Sequence, residues 1–289
     1  MNNKEEKQQN MHRFHFKEAL QDIGGALSDY YLWMTLGWYD VLARYRRSTL
    51  GPIWITLSMI VTIGAMGPLY GTLFGLKLSQ FIPHLTLGMI FWLFISVSLN
   101  EFCLAYIEAQ HYLKQVKMPL SVFVLRVMYR QFIILCHNIA IFPIIACILQ
   151  ISFNWNFVWL FPAFALLLIT LFALGIIISI FCARFRDMTP VVSSLTQLMF
   201  FVTPIIWSVD QLPSNRRFLA AWNPFSVLIN LVRKPLLGGT PSPYDWTLGV
   251  GFASAGLLIA FLVLARSKRR VTYWFCLLYT SDAADERSS

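Results

Sequence analysis

Three ionisable side chains stand inside apolar stretches, and their types and spacing pose the first chemical question. Glu101 follows the run TLGMIFWLFISVSLN, and Arg126 and Arg130 lie one helical turn apart in SVFVLRVMYRQFIILC. A charge held at the centre of a bilayer costs at least about 2.5–3.5 kcal/mol, so such residues pair or face a watery space. If both stretches are helices, the depths match, and the spacing predicts that Glu101 pairs with Arg126 or Arg130. The alternative is that one arginine faces a cavity and meets an anionic head group such as pyrophosphate. A second cluster, Arg44, Arg46 and Arg47 in RYRRSTLGPIWITLSM, sits just before the first long apolar run. Its plainest role is to fix the cytoplasmic end of a membrane span.

Other chemistry is missing. The sequence has no G-x-x-x-x-G-K-[ST] loop, so it holds no ATP through a P-loop, and it has no H-E-x-x-H, Ser-His-Asp motif or acidic cluster. His84 and His137 have no second ligand at metal spacing and read as packing or interfacial residues. No cofactor or metal is expected on this chain, and it is not expected to be an enzyme. A membrane-embedded enzyme acting on lipid-linked sugars is the competing reading. It needs acids or histidines in polar loops, and the predicted outside loops offer only Asp210 and Asp245 as acids.

The elements that would position these charges follow from composition. Of 289 residues, 57% are hydrophobic and only 13% charged, against about 25% charged in a soluble domain. Water-facing surface needs more charge than this, so the chain reads as an integral membrane protein. Ten tryptophans suit aromatic belts at two interfaces; for the same reason no single aromatic ring is assigned to sugar stacking. The net charge of +9 follows membrane topology rather than nucleic-acid binding, because most lysines and arginines flank apolar runs. Cys103, Cys136, Cys147 and Cys182 lie in or beside such runs and read as small packing residues. The polar N-terminus shows no cleavable signal peptide.

Six stretches have the length and apolarity of spanning helices: Ile53–Leu76, Ile82–Glu108, Ser121–Leu149, Asn156–Ala183, Thr189–Trp207 and Tyr244–Arg266. The fold class expected is all-α and polytopic. Lys4, Lys7, Arg13, Lys17 and the Arg44–Arg47 cluster, then Lys114 and Lys117, Arg184 and Arg186, and finally Arg266, Lys268, Arg269 and Arg270 fall on one side. The other side has Lys77 and a long loop carrying Arg216, Arg217, Arg233 and Lys234. The positive-inside rule puts both termini in the cytoplasm.

Residues 1–27 read as a polar cytoplasmic segment. Ser28–Arg47 reads as an amphipathic helix in the cytoplasmic interface, with Ser28 as its cap. Asp29, Asp40, Arg44 and Arg47 gather on one side of it, opposite Tyr30, Tyr31, Met34, Trp38, Val41, Leu42 and Tyr45. Gly51-Pro52 then turns the chain into the bilayer. Between the second and third spans, His111–Met118 is expected as a short basic helix closed by Pro119; spacing alone leaves a solvated loop equally open. RRFLAAWNPFSVLINLVRKPLLGG suggests two short helices broken at Asn223-Pro224, which dip into the outer leaflet or lie on it. The tail Cys276–Ser289 resembles a translated sequencing-library adapter of the transposase type, so the natural chain is expected to end near Phe275.

An amphipathic helix ending in RYRRSTLGPIWITLSM, then GPLYGTLFG, KQVKMPLSVFVLR, FVTPIIW and a final KRRVTYWF resemble the ABC-2 type permeases. Among these the resemblance is to the bacterial polysaccharide exporters for O-antigen, capsule and teichoic acid. It covers about Asp29–Phe275, within a transmembrane domain at residues 28–275. It implies a homodimer in the inner membrane, with six spans per subunit and separate ATPase subunits docked beneath that bind ATP-Mg. It implies that residues 28–47 form the interface helix and that His111, Tyr112, Lys114, Lys117 and Pro119 contact the ATPase. The substrate implied is a glycan on a polyprenyl pyrophosphate lipid, and Arg44, Arg46 and Arg47 are the residues expected to meet its head group. A small-molecule efflux permease of the same superfamily shares the layout and stays open.

Overall fold

In a computed structural model, residues 15–46, 51, 53–151, 154–211 and 213–285 are described. They form helices joined by short links, with no strand among them. In chain order the α-helices are α1 (Phe16–Ser28), α2 (Tyr30–Tyr45), α3 (Ile53–Leu73), α4 (Leu78–Glu108), α5 (Gln110–Gln115) and α6 (Ser121–Ile139). Then come α7 (Ile141–Ile148), α8 (Leu160–Arg184), α9 (Thr189–Val202), α10 (Phe218–Ala221), α11 (Pro224–Leu236) and α12 (Pro243–Asp285). Among the described residues, five segments are long and apolar enough to cross a membrane: Ile53–Leu73, Leu78–Leu113, Ser121–Ile148, Trp155–Arg184 and Pro243–Lys268.

The core forms where α4, α6, α8 and α12 meet. Leu85, Leu87, Ile95, Phe102 and Tyr106 of α4 are fully buried, as are Leu167, Ala173 and Ile176 of α8. Between lipid-bathed helices the hydrophobic effect drives little association, so close packing of small residues decides it. Gly175 shows this: a Cβ there would lie 2.5 Å from Val124 Cγ1 and 2.9 Å from Phe102 Cζ. Its absence lets α8 lie against α4 and α6 together. Four residues on, Ser179 Oγ donates across helices to the Phe102 carbonyl at 2.9 Å.

Two expectations need revision. Of the N-terminal segment, residues 1–14 lie outside the described ones, and Phe16–Ser28 forms a helix, α1, with Ala19, Asp22 and Ala26 buried. Ser28 therefore ends α1 instead of capping α2, whose N-cap is Asp29. The stretch Thr189–Trp207 is not one helix either. α9 has 14 residues, roughly 21 Å, which is short of the ~30 Å hydrocarbon thickness. It stops because Pro204 has no N–H to donate and disfavours helix at the residue before it; Thr203 is extended at ψ 134°. Thr203 and Ile205 are nonetheless buried, so irregular backbone runs through protein, which with the wall of a watery cavity is where a membrane tolerates it.

α11 covers that irregular segment. Asn223 caps it by accepting from Phe225 N (3.0 Å) and Ser226 N (3.4 Å), with Pro224 at the first helical position. Gly238, at φ +80°, ends it in the left-handed conformation that suits glycine. Val227, Leu228, Ile229, Leu231 and Val232 are all buried. The segment thus packs into the bundle and does not lie on a surface.

Candidate functional site

The site is built where α2 crosses α6. Gly37 sets the crossing: a Cβ there would stand 2.9 Å from Tyr129 Cδ1 and 3.0 Å from the Arg126 carbonyl oxygen. With the two backbones this close, the one acid of α2 turns inward. Asp40 faces α6, while Tyr30, Tyr31, Trp38, Tyr39 and Leu42 are exposed. A water-soluble helix would do the reverse.

Five charges and one amide then interlock. Arg126 Nε donates to Asp40 Oδ2 at 2.7 Å and its Nη2 to Oδ1 at 2.5 Å, a two-pronged pair. Arg130 Nη1 reaches the same carboxylate at 2.9 Å. Its Nε and Nη2 donate to Glu101 Oε2 at 3.1 and 2.7 Å, and Gln131 Nε2 donates there as well. Arg44 Nη2 holds the other Glu101 oxygen at 2.7 Å. Three guanidinium groups against two carboxylates leave one net positive charge. Burial works against the charge on Arg44, but the hydrogen bond and the charge of Glu101 outweigh it, so its pKa lies above the ordinary arginine value.

The structure thus brings Glu101 and Arg130 together and gives Arg126 to Asp40 instead. Arg44 joins Glu101 while its side chain stays 43% exposed. Arg46 is exposed, and Arg47 lies outside the described residues. The His111–Met118 stretch is helical only over Gln110–Gln115; Val116 is extended. His111, Tyr112 and Lys117 are exposed and Pro119 is half-buried; of Lys114 only the backbone is described. Tyr112 touches the network: its ring centre lies 5.9 Å from the Arg126 guanidinium carbon, within cation–π range.

Next to Glu101, a groove of about 360 Å³ runs between α4 and α9. Ser96 and Asn100 of α4 line it with Ser193, Thr196 and Gln197 of α9, and Trp92, Phe200 and Phe201 add aromatic faces. The spacings i, i+4 on α4 and i, i+3, i+4, i+7 on α9 put these groups on facing stripes. Hydroxyls, amides and aromatic rings in a bundle otherwise built from Leu, Ile and Phe suit a hydroxyl-rich molecule.

At the opposite end of the bundle Arg233 is buried. It donates to His84 Nε2 (2.9 Å), the Pro204 carbonyl (3.1 Å) and Asn230 Oδ1. Arginine cannot accept, so His84 Nε2 must be unprotonated. His84 therefore ties α4 to α11, beyond simple packing, and Arg233 satisfies the carbonyl of the irregular segment.

Sequence reasoning grouped Asp40 with Arg44 but gave it no partner on α6. It missed Gln131 and the α4–α9 groove. The hydroxyl and amide spacing is visible in SVSLN and SSLTQL, but which stripes face each other is a tertiary fact.

Residues 31–237 match the family described as ABC-2 type transporter. The chain is 30% identical over 203 residues to a Myxococcus xanthus protein named O-antigen export system permease protein RfbA, a match covering 66% of this chain and 74% of that one. Two Klebsiella pneumoniae proteins of the same name are each 27% identical, over 207 and 210 residues. Those matches cover 70% and 69% of this chain and 78% of each relative.

Proposed function

The chain belongs to the ABC-2 type transporter family, and on that premise we propose that it is the permease through which a lipid-linked, O-antigen-like polysaccharide leaves the cytoplasm. The observation that carries the substrate class is the groove between α4 and α9. A polysaccharide presents hydroxyls that must exchange water for other partners, and sugar faces that stack on rings. Ser96, Asn100, Ser193, Thr196 and Gln197 supply the first, and Trp92, Phe200 and Phe201 the second. Apolar efflux substrates would use the rings but not the five hydroxyls and amides, which favours the glycan over an apolar drug.

In this reading the end carrying Arg44 and Arg46 is cytoplasmic, and both termini lie there. α9, the irregular segment after it and α11 complete the fifth crossing. Two copies face each other, so that the groove of each contributes to one path. The polyprenyl pyrophosphate stays at the interface, where Arg44, Arg46 and Arg47 meet its anionic head group; the net positive charge around Arg44 favours this. Separate ATPase subunits bind ATP-Mg and press on residues 111–119. ATP shifts the permease between inward and outward states only as far as it binds one of them better.

The test is deletion of the gene in its host. The expected result is loss of surface polysaccharide with lipid-linked glycan retained inside, restored by the wild-type gene. Restoration should fail with Arg44→Gln, Arg46→Gln and Arg47→Gln combined, at normal membrane levels. Unchanged surface polysaccharide in the deletion strain would sink the proposal.

A further inference from the structure

Asp22 is almost completely buried, yet it lies in a cytoplasmic-end helix that the sequence did not single out. Its carboxylate accepts three hydrogen bonds and faces one ammonium group. Oδ2 takes Leu120 N at 2.9 Å, and Oδ1 takes Ser121 N at 2.9 Å and Ser121 Oγ at 2.8 Å. Lys268 Nζ of α12 stands 3.2 Å from Oδ2 and also donates to the Glu18 carbonyl at 2.8 Å. An aspartate about a hundred residues away thus caps the N-terminus of α6, where the free backbone N–H groups and the helix dipole both favour a negative charge.

The neighbours reinforce this clamp. A Cβ on Gly25 would lie 3.3 Å from Pro119 Cγ, so α1 presses on the residue that closes the 111–119 segment. His15 N donates to the Ala265 carbonyl at 3.0 Å, and Phe16 stacks on Phe261 at 5.8 Å. On its other side α1 runs through Asp29 directly into α2, which carries Asp40 and Arg44. One carboxylate therefore joins the end of the docking segment, the start of α6, the end of the membrane part of α12 and, through α1, the charge network.

We infer that Asp22 is a positioning residue for energy coupling. It makes the 111–119 segment move as one piece with α1 and α2, so that a push from the ATPase reaches Arg44 and Asp40 and not α6 alone. The inference rests on the proposed transporter role, and it assigns Asp22 no contact with substrate or nucleotide.

The test places an environment-sensitive bimane on Leu42→Cys, an exposed position of α2, with Cys136, Cys147 and Cys276 replaced by alanine. The full-length chain is reconstituted with its ATPase subunit in lipid vesicles. ATP should change the bimane signal in this otherwise wild-type complex. Asp22→Asn, which keeps the shape but gives Ser121 and Lys268 a donor to face, should cut that change about tenfold. ATPase binding and basal hydrolysis should move less than twofold. Lys268→Met, at a half-buried partner, is the milder variant should Asp22→Asn fail to insert; it should give a partial loss in the same direction.

An undiminished signal in Lys268→Met and Asp22→Asn overturns the inference, as does a wild-type complex whose α2 reporter ignores ATP. Equal loss of ATPase binding and signal also overturns it, because Asp22 would then serve assembly only. A wild-type chain that binds no ATPase is a separate result, and it strikes the transporter role itself.

Discussion

Arg126 lies with its guanidinium carbon 5.9 Å from the ring centre of Tyr112 while the same group grips Asp40 with two nitrogens. One side chain thus touches both the exposed α5 segment and the inward face of α2. Arginine can do this because its charge is spread over a flat surface that stacks on one side and donates along its edge. Lysine, a point charge without the flat fork, should not keep both contacts at once. In Arg126→Lys we expect export to fall about tenfold, with normal membrane levels and ATPase binding, measured as surface polysaccharide per permease.

The Glu101 carboxylate holds Arg130, Arg44 and Gln131 together. Glu101→Gln should leave Arg130, whose side chain is only 9% exposed, with Asp40 as its remaining carboxylate at 2.9 Å. Leaving a buried charge wholly unpaired costs about 3–5 kcal/mol, and the Asp40 contact should keep the loss below that. A clear drop in thermal midpoint in mild detergent is the expected reading. Removing the arginine as well, in Glu101→Gln/Arg130→Met, should recover part of it.

Glycine positions separate close approach from mere flexibility. Gly175 would put a Cβ 2.5 Å from Val124 Cγ1, whereas a Cβ on Gly251 meets nothing within 4 Å. Gly175→Ala should therefore destabilise by about 1–3 kcal/mol, and Gly251→Ala should be neutral. The two detergent melting curves, compared side by side, decide it; equal shifts would count against the packing at α8.

The α4–α9 groove makes its own forecast. Asn100→Leu and Gln197→Leu each remove hydrogen bonds worth about 0.5–1.5 kcal/mol to a passing sugar. Export of polysaccharide should fall up to about tenfold, and ATPase binding should stay unchanged. Conversion of the same two positions to serine should be tolerated better, and export assays on both sets would show it.

At the far end, His84→Leu removes the Nε2 acceptor of buried Arg233. The expected penalty is about 1–3 kcal/mol, seen as earlier thermal unfolding. His84→Gln offers a carbonyl oxygen and should recover part of the loss.

Much of this was legible in the chain. Long apolar runs announce helices, and charge inside them announces partners, so Glu101 could be matched by depth to the turn holding Arg126 and Arg130. What periodicity could not show is which of two neighbouring arginines takes which acid. Arg126 goes to Asp40 because Gly37 brings α2 against that turn of α6, and the meaning of a glycine in GWYD depends on what lies opposite. α1 was missed for a related reason. Its buried face is narrow, made of Ala19, Asp22 and Ala26, and an aspartate counts as a polar signal whether it faces water or caps a distant helix. The break after α9 was written in Thr203-Pro204, but an apolar run on both sides concealed it.

The Arg44–Glu101 contact also has a place in time. A chain grows from its N-terminus at about 5–20 residues per second, and Arg130 follows Glu101 by 29 residues. Glu101 therefore emerges roughly one to six seconds ahead of its more buried partner. Arg44 precedes Glu101 by 57 residues and so emerges before it. The half-exposed arginine is thus the first charge on the Glu101 carboxylate to be synthesised, and the more buried Arg130 is the last.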